Sequence, residues 1–226
     1  MRPDKIGRHL TVYIPGHGTK QVAESPADGH IAFMPDIHAV AVFCGSRTGN
    51  DPAYRAAAQA LGLGLARAGI RLVYGGGRIG LMGVMADAAL AAGGTVTGVI
   101  PEFLTQREVA HATITELIVT DSMHNRKQRM FEAADAFVSL PGGLGTLDET
   151  IEIITWRQLG LHAKPVLICN VAGSAAPFLA TIEAAIAAGF AGPEARRIYE
   201  VLDGVPAVLK RLSLLHRGAR GETARL

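Results

Sequence analysis

Short apolar runs alternate with longer helix-like stretches from residue 39 onward, and this alternation limits the possible fold more than any other feature of the chain. The runs are rich in β-branched residues and occupy 39–44, 70–74, 95–100, 114–119, 136–140 and 165–169. The stretches between and after them predict helices at 52–68, 79–92, 122–134, 146–159 and 175–188. Continuous apolar strands separated by helices are typical of a parallel sheet covered on both faces. The sequence therefore predicts a single α/β domain with a doubly wound, Rossmann-like sheet.

The two ends of the chain do not follow this alternation. Residues 1–38 are rich in Gly, Pro and His, show no sustained period, and are expected to form a mobile or loosely attached extension. The spacing of their histidines matches no metal-ligand pattern, so no metal site is predicted there. One more strand and helix are expected within 196–215, which places the catalytic domain at 39–215. Residues 216–226 are expected to be a frayed tail.

Charge and hydropathy exclude several classes of function. A formal net charge of +2 over 226 residues is too close to neutral to indicate nucleic-acid binding. No run of about 18 uninterrupted apolar residues and no signal-peptide core occur, so no membrane association is expected. Cys44 and Cys169 lie in strand-like runs and are expected to be buried thiols of a reducing compartment. A soluble cytoplasmic protein is the expectation.

Three glycine-rich or hydroxyl-bearing loops follow strands of the predicted sheet. They are Gly45-Ser46-Arg47, the segment 75–80 and the segment 141–145. Ligands bind beyond the carboxyl ends of parallel strands, where glycines admit an anion and free N–H groups at a helix start carry partial positive charge. Three such loops on one edge predict a mononucleotide or sugar-phosphate site.

The segment 75–80 also fits the dinucleotide fingerprint GxGxxG, with Glu102 at a suitable distance to bind a ribose. However, this motif follows the second strand rather than the first, and Pro101 directly precedes the acid. A dinucleotide cofactor is therefore the less favoured interpretation.

The predicted helix at 122–134 carries two cations on its apolar face. Met123, Met130 and Phe131 form an apolar stripe at helical spacing. The positions three and four residues after Met123, which would complete this stripe, are occupied by Arg126 and Lys127. An unpaired charge pointing toward the sheet is costly, so both cations are expected to serve a site at the same edge as the glycine loops. The alternative is that both side chains reach water at the start of the helix.

Glu149 has two possible roles. The sequence Thr146-Leu-Asp-Glu149 matches a capping box, in which Thr146 caps a helix and Glu149 bonds back to the cap. Glu149 is equally a candidate catalytic carboxylate at the edge where the glycine loops meet. Spacing alone does not separate the two roles.

Two motifs taken together resemble a known family. The chain carries MHNRK at 123–127 and PGGLGTLDE at 141–149, which match the MHxRK-like and PGGxGTxxE patterns of the Lonely guy family without a gap. The likeness extends over about residues 39–190. Members of this family are cytokinin riboside 5′-monophosphate phosphoribohydrolases, often mislabelled lysine decarboxylases.

The resemblance implies hydrolysis of the N-glycosidic bond of a nucleoside 5′-monophosphate, either AMP or an N6-substituted AMP, to free base and ribose 5-phosphate. It implies Arg126 and Glu149 as catalytic residues, and Lys127 and Ser46 as ligand contacts. It further implies a homodimer with the active site near the interface, and no metal or organic cofactor. The expected phosphate cradle comprises Gly142, Gly143, Gly145 and Thr146, helped by Gly75, Gly76, Gly77 and Met82.

Two other functions stay open on the sequence alone. A Rossmann-like protein can be a nucleotide or cofactor carrier without catalytic activity. A lysine decarboxylase would need a Schiff-base lysine for pyridoxal phosphate. Only Lys127 of the five lysines lies in the predicted site.

Overall fold

The computed structural model describes residues 12–14, 18–20 and 36–222, with side chains described over 36–215. The chain divides into two compact units, Met1–Ala32 and Phe33–Leu226. In the first unit, strands β1 (Val12–Ile14) and β2 (Gly18–Lys20) form an antiparallel pair. The remainder of the predicted extension 1–38, apart from 36–38, lies outside the described residues.

The second unit contains a seven-stranded sheet in which every pair of neighbouring strands is parallel, with spatial order β6-β5-β4-β3-β7-β8-β9. This confirms the predicted fold class, and all six predicted strands are present with small shifts at their ends. In chain order the strands are β3 (Ala39–Phe43), β4 (Arg71–Tyr74), β5 (Val96–Pro101), β6 (Glu116–Thr120), β7 (Ala136–Ser139), β8 (Val166–Asn170) and β9 (Glu200–Asp203).

Six α-helices lie within the described part of this unit, and two short 3₁₀ turns occupy Glu102–Leu104 and Pro193–Arg197. None of these helices is both long and apolar enough to cross a membrane. The helices are α1 (Pro52–Arg67), α2 (Gly80–Ala91), α3 (Met123–Glu132), α4 (Leu144–Gln158), α5 (Ala176–Ala187) and α6 (Gly204–Glu222).

The central strand β3 is apolar throughout because both faces of the sheet are covered there. Along β3, Val40 and Val42 belong to the core shared with α1, α2 and α6. Ala41 and Phe43 alternate with them and belong to the core shared with α3, α4 and α5. Successive side chains of a strand point to opposite faces, so a doubly covered strand buries every position. All five residues of β3 are buried.

Two helix ends differ from the prediction. Helix α6 continues to Glu222, whereas the segment from residue 216 was expected to be a frayed tail. Helix α4 begins at Leu144 rather than Thr146. The second difference changes the interpretation of Glu149.

The strand order indicates where along the sheet a ligand can bind. Strands β4 and β7 pair with opposite sides of β3, so the chain order reverses there. Such a switch point opens a crevice at the carboxyl ends of the strands. The loops after β3 and β7 meet at this crevice, where the amide of Gly45 donates a hydrogen bond of 3.1 Å to the carbonyl of Pro141.

Candidate active site

A cleft of about 140 Å³ lies at this switch point. Cys44 lines it, but burial raises the pKa of this thiol far above its ordinary value, so Cys44 is not a nucleophile near neutral pH. The remaining lining residues are Val42, Gly45, Ser46, Gly75, Met82, Glu108, Arg126, Gly143, Leu144, Gly145, Thr146 and Glu149.

Helix α3 holds Arg126 at the inner wall of the cleft. The hydroxyl of Ser122 caps the helix by accepting a hydrogen bond of 3.2 Å from the amide of Asn125. One turn into the helix, the Arg126 guanidinium donates from Nε to the carbonyl of Val99 at 3.1 Å and from Nη1 to Glu149 Oε1 at 3.0 Å. A longer contact of 3.5 Å joins Nη2 to the carbonyl of Gly75. These partners fix the guanidinium plane in a site where only 7% of Arg126 is exposed.

Glu149 forms an ion pair with Arg126, and only 8% of Glu149 is exposed. Burial raises the pKa of Glu149 to about 7, an effect that the positive charge of Arg126 opposes and the negative charges of Asp148 and Glu108 strengthen. The carboxyl group is therefore close to half ionised at neutral pH. A group in this condition can both give and take a proton, which suits an acid–base catalyst.

The capping-box interpretation of Glu149 is wrong. The N-cap of α4 is Gly143, and Thr146 is already the third residue of the helix. Glu149 therefore lies in the second turn, beyond the free amides, and its carboxylate bonds to Arg126 instead. Thr146 accepts a hydrogen bond at its carbonyl from the hydroxyl of Thr150, as an interior helical residue does.

The first turn of α4 is the part of the cleft best suited to an anion. Gly143 and Gly145 are exposed there, and a Cβ at either position would meet no atom within 4 Å. No acidic residue occupies this turn, so the positive end of the helix dipole is not neutralised locally. Unpaired N–H groups beside open space are suited to binding an anionic group.

The glycines after β4 contribute less to the cleft than predicted. Gly75 lines it, but Gly76 and Gly77 are buried and do not. The segment that ends at His111 covers them, because the amide of His111 bonds to the carbonyl of Gly76 and Gly77 forms a bridge with Ala110. Gly142 also lies outside this lining, packed against Thr146.

Lys127 differs from the expectation as well. Its side chain is half-buried, but it forms ion pairs with Asp148 at 3.2 Å and Glu152 at 3.0 Å and does not line the cleft. Burial opposes the positive charge, yet the hydrogen bonds to Glu152 and Asp148 outweigh it and raise the pKa of Lys127. The lysine therefore joins α3 to α4 as a cation.

One charged residue of the cleft was not among the residues predicted from the sequence. Glu108 lies in the irregular connection between β5 and β6 and contributes a second carboxylate to the lining. Burial raises the pKa of Glu108, and the nearby charge of Arg126 opposes this rise. No motif or periodicity surrounds Glu108, so only the fold reveals its position.

A parallel α/β fold with a helix N-terminus at its switch point, beside a buried arginine–glutamate pair, defines a nucleotide- or phosphate-binding protein of the Rossmann-like class. Comparison with known families narrows this class. The profile of the family described as "Possible lysine decarboxylase" matches residues 82–212.

A relative from Rhodococcoides fascians, named "Cytokinin riboside 5′-monophosphate phosphoribohydrolase", is 48% identical over 163 residues, which cover 72% of this chain and 82% of the relative. A relative from Arabidopsis thaliana with the same name and the suffix LOG1 is 45% identical over 173 residues, covering 76% of this chain and 81% of the relative. The chain therefore belongs to the Lonely guy family of cytokinin riboside 5′-monophosphate phosphoribohydrolases.

Among solved structures, the chain resembles the molybdenum cofactor carrier protein of Chlamydomonas reinhardtii. The TM-score is 0.60 at 21% identity, and the match covers 78% of this chain and 96% of the carrier. Similarity at this level of identity establishes a common fold and no common function.

Proposed function

We propose that this protein hydrolyses the N-glycosidic bond of a nucleoside 5′-monophosphate, either AMP or an N6-substituted AMP. The products are the free base and ribose 5-phosphate. The buried pair of Arg126 and Glu149, one helical turn from the exposed amides of α4, is the observation that carries this proposal. The names of the relatives support the same reaction.

The chemistry requires a carboxylate near the sugar and a separate site for the phosphate. Water attacks C1′ as the bond to the base nitrogen breaks, and the transition state resembles an oxocarbenium ion. In its ionised form, Glu149 stabilises this positive charge and accepts the proton of the attacking water. The base departs with the bonding electron pair and takes up a proton from solvent water, and Glu149 returns the proton of the attacking water to solvent.

The 5′-phosphate binds at the first turn of α4 in this proposal, against the amides of Gly143, Gly145 and Thr146. Ser46 and Met82 line the same cleft and are proposed as further contacts. Arg126 has two functions: it holds the carboxylate of Glu149 in position, and its positive charge stabilises the negative charge that develops on the departing base.

We propose a homodimer with the active site near its interface, as in the family. Leu144, Leu147 and Ile151 form an exposed apolar stripe along α4, and Leu144 also lines the cleft. A pocket for a small-molecule ligand usually has a volume of at least roughly 300 Å³, so a second copy packed on this stripe would complete an otherwise small site. Light scattering during size-exclusion chromatography measures the mass, and Leu147→Glu should convert a dimer to a monomer.

We also propose that the protein functions in the cytoplasm. Cys44 and Cys169 are free and buried, which fits a reducing compartment.

The family profile's description as a lysine decarboxylase finds little support at the site. Lys127, Lys164 and Lys210 are the lysines whose side chains are described, and none of them lines the cleft. A Schiff-base lysine needs a neutral amine, whereas the ion pairs of Lys127 favour its charged form. Incubation with pyridoxal phosphate should produce no protein-bound absorbance band.

The direct test is incubation of the purified protein with AMP and with isopentenyl-AMP, followed by chromatographic measurement of the released base. We expect release from at least one substrate, and release about 10²–10⁴-fold slower with Glu149→Gln. Nucleotide binding measured by calorimetry, without any release of base by the folded wild type, would instead indicate a carrier.

A further inference from the structure

Residues 102–115 connect β5 to β6 and form one wall of the cleft, yet only one of them is buried. Glu108 of this segment, here called the connection, lines the cleft. Among residues 102–120, His111 is the single buried residue, and none of its surface is exposed. The large apolar side chain of Phe103 is mostly exposed instead. The connection is therefore anchored by a histidine rather than by an apolar side chain.

Both ring nitrogens of His111 have a partner. Nε2 lies 3.0 Å from Oδ1 of Asp87 on α2, and Nδ1 lies 3.3 Å from the hydroxyl of Thr113. A carboxylate only accepts hydrogen bonds, so Nε2 carries the hydrogen that joins the imidazole to Asp87. The side chain of Asp87 is 58% exposed, so this bond is at the protein surface on one side. It can open without leaving a charge buried, because water solvates both groups once they separate.

The backbone of the connection rests on the glycine loop after β4. The amide of His111 donates a hydrogen bond of 3.0 Å to the carbonyl of Gly76. The amide of Arg78 donates to the carbonyls of Glu108 at 3.1 Å and of Val109 at 2.9 Å. Val109 has a φ of 48°, a conformation that a β-branched residue rarely adopts. Strain of this kind persists only where the surrounding contacts maintain it, so release of the connection would relieve it.

We propose that His111 and Asp87 form a latch that holds the connection against the loop after β4 and thereby keeps this wall of the cleft in place for the nucleotide. Both are positioning residues, because neither lines the cleft and both act through the connection. Their role rests on the proposed function for the identity of the ligand. In the open form, the bond between the two side chains is broken, the cleft lacks this wall, and the ligand binds more weakly.

Opening of the connection is thus coupled to occupation of the cleft. A ligand that binds the closed form and not the open form stabilises the closed form by mass action. At a ligand concentration ten times its Kd, the open population should fall about tenfold. Conversely, a weaker latch lowers the apparent affinity in proportion to the fraction of molecules that remains closed.

Arg107 provides a direct measure of opening. It is exposed, and it is the only arginine or lysine between Arg78 and Arg126 in the sequence. Trypsin cleaves a folded protein where a segment opens locally, and the rate follows the open population when opening and closing are fast. Fragments that end at residue 107 identify this cut by mass spectrometry.

Two replacements of His111 distinguish a latch from a side chain that merely fills space. His111→Leu has a similar volume and removes the bond to Asp87, whereas His111→Gln keeps an N–H donor. A latch predicts cleavage at Arg107 that is about 10–100-fold faster with Leu, the usual effect of losing a hydrogen bond to a charged group, and a smaller change with Gln. A space-filling role predicts the reverse order, because leucine gains more from burial than glutamine does.

Asp87→Ala tests the same bond from the exposed side, where a substitution on α2 does not disturb the core. It should accelerate cleavage at Arg107 as His111→Leu does, and the double variant should show little further effect, because both changes break one bond. Glu102→Ala is the matched control, since it removes an exposed carboxylate from the same connection and should leave the cleavage rate unchanged. Equal rates in wild type and Asp87→Ala would overturn the latch.

Ribose 5-phosphate is the probe for the coupling to the cleft. Calorimetry gives its Kd, and cleavage at Arg107 is then timed with and without the ligand. We expect about tenfold protection of wild type at ten times the Kd. In Asp87→Ala, the KM for AMP should rise more than kcat falls, because the wall is displaced while Arg126 and Glu149 are untouched. Cleavage that does not respond to bound ribose 5-phosphate would refute the coupling.

These measurements separate failure of the latch from failure of the proposed function. If wild type releases no base but is protected by ribose 5-phosphate in a latch-dependent way, the proposed function fails and the latch stands. If base is released while the cleavage rate ignores the ligand, the latch fails and the proposed function stands. A folded wild type that does not bind ribose 5-phosphate would contradict both the coupling and the proposed phosphate site.

Discussion

Arg126 and Glu149, 23 residues apart in the chain, form a buried ion pair with 3.0 Å between Nη1 and Oε1. Such a pair adds little net stability, because the desolvation of two charges offsets most of their attraction. Its value lies in holding a carboxylate and a cation at fixed positions beside the proposed phosphate site. Catalysis depends on charges that are placed before the reaction begins.

Replacement of Glu149 by Gln removes the ionisable group and keeps the shape of the side chain. We expect kcat to fall by about 10²–10⁴-fold, the usual contribution of a positioned acid or base, while ribose 5-phosphate still binds. Base release and calorimetry measure the two effects. The control is Glu152→Gln, one turn further along α4, which removes an ion pair with Lys127 and should retain most activity. Equal losses in the two variants would contradict a catalytic role for Glu149.

Removal of Arg126 leaves Glu149 buried without its counter-ion. Arg126→Ala should abolish activity and lower the free energy of unfolding by about 3–5 kcal/mol at pH 8, where the wild-type carboxylate is ionised and its partner charge is lost. The loss should be smaller at pH 5, because a protonated Glu149 needs no counter-ion. Urea unfolding at both pH values measures the difference, and a pH-independent loss would count against this account. Arg129→Ala, an exposed position on the same helix, is the control.

The sequence pattern was sufficient to predict the sheet and the position of Arg126. Runs of apolar β-branched residues indicate buried parallel strands directly, since both faces of such strands are covered. A helical count places Arg126 on the apolar side of α3, where it is buried. Lys127 occupies the neighbouring position, but the helical period alone does not reveal that Asp148 and Glu152 on α4 come within reach of it.

The position of Glu108 in the cleft was not predictable, because it depends on contacts between segments distant in the sequence. The loop after β4 and the side chain of Asp87 on α2 fix the irregular connection that carries it. The predicted start of α4 was wrong for a different reason. Thr146 and Glu149 satisfy the capping-box pattern, but the helix begins two residues earlier, at Leu144.

The charges around Glu149 predict two shifts of opposite sign in the pH dependence of activity. With a pKa of about 7 for Glu149 and a requirement for its ionised form, kcat/KM should rise through about pH 7. Asp148 raises this pKa and Lys127 lowers it. Asp148→Asn should therefore move the rise to lower pH, and Lys127→Gln should move it to higher pH. Profiles measured at low ionic strength test both shifts, and movement in the same direction would refute the assignment.

The same ionisation should affect stability. The native state holds the proton of Glu149 more tightly than the unfolded chain does, because its pKa rises from 4.5 to about 7 on folding. The resulting stabilisation is fully present below pH 4.5 and is lost as the pH rises through about 7. The free energy of unfolding of wild type should therefore decline relative to that of Glu149→Gln across this window. Urea titrations at several pH values measure the difference, and parallel curves would disprove it.

A substitution at Gly145 should change the stability of the protein and its affinity for the ligand in opposite directions. It lies in the first turn of α4, and a Cβ there would meet no protein atom within 4 Å. Gly145→Ala should therefore raise the stability of the free protein by about 0.5–1 kcal/mol, since glycine is a poor helix former. The added methyl group would occupy the space in which we expect the phosphate, so the affinity for ribose 5-phosphate should fall. Thermal unfolding and calorimetry on the same preparation measure both effects. A gain in stability with unchanged affinity would show that the phosphate binds elsewhere.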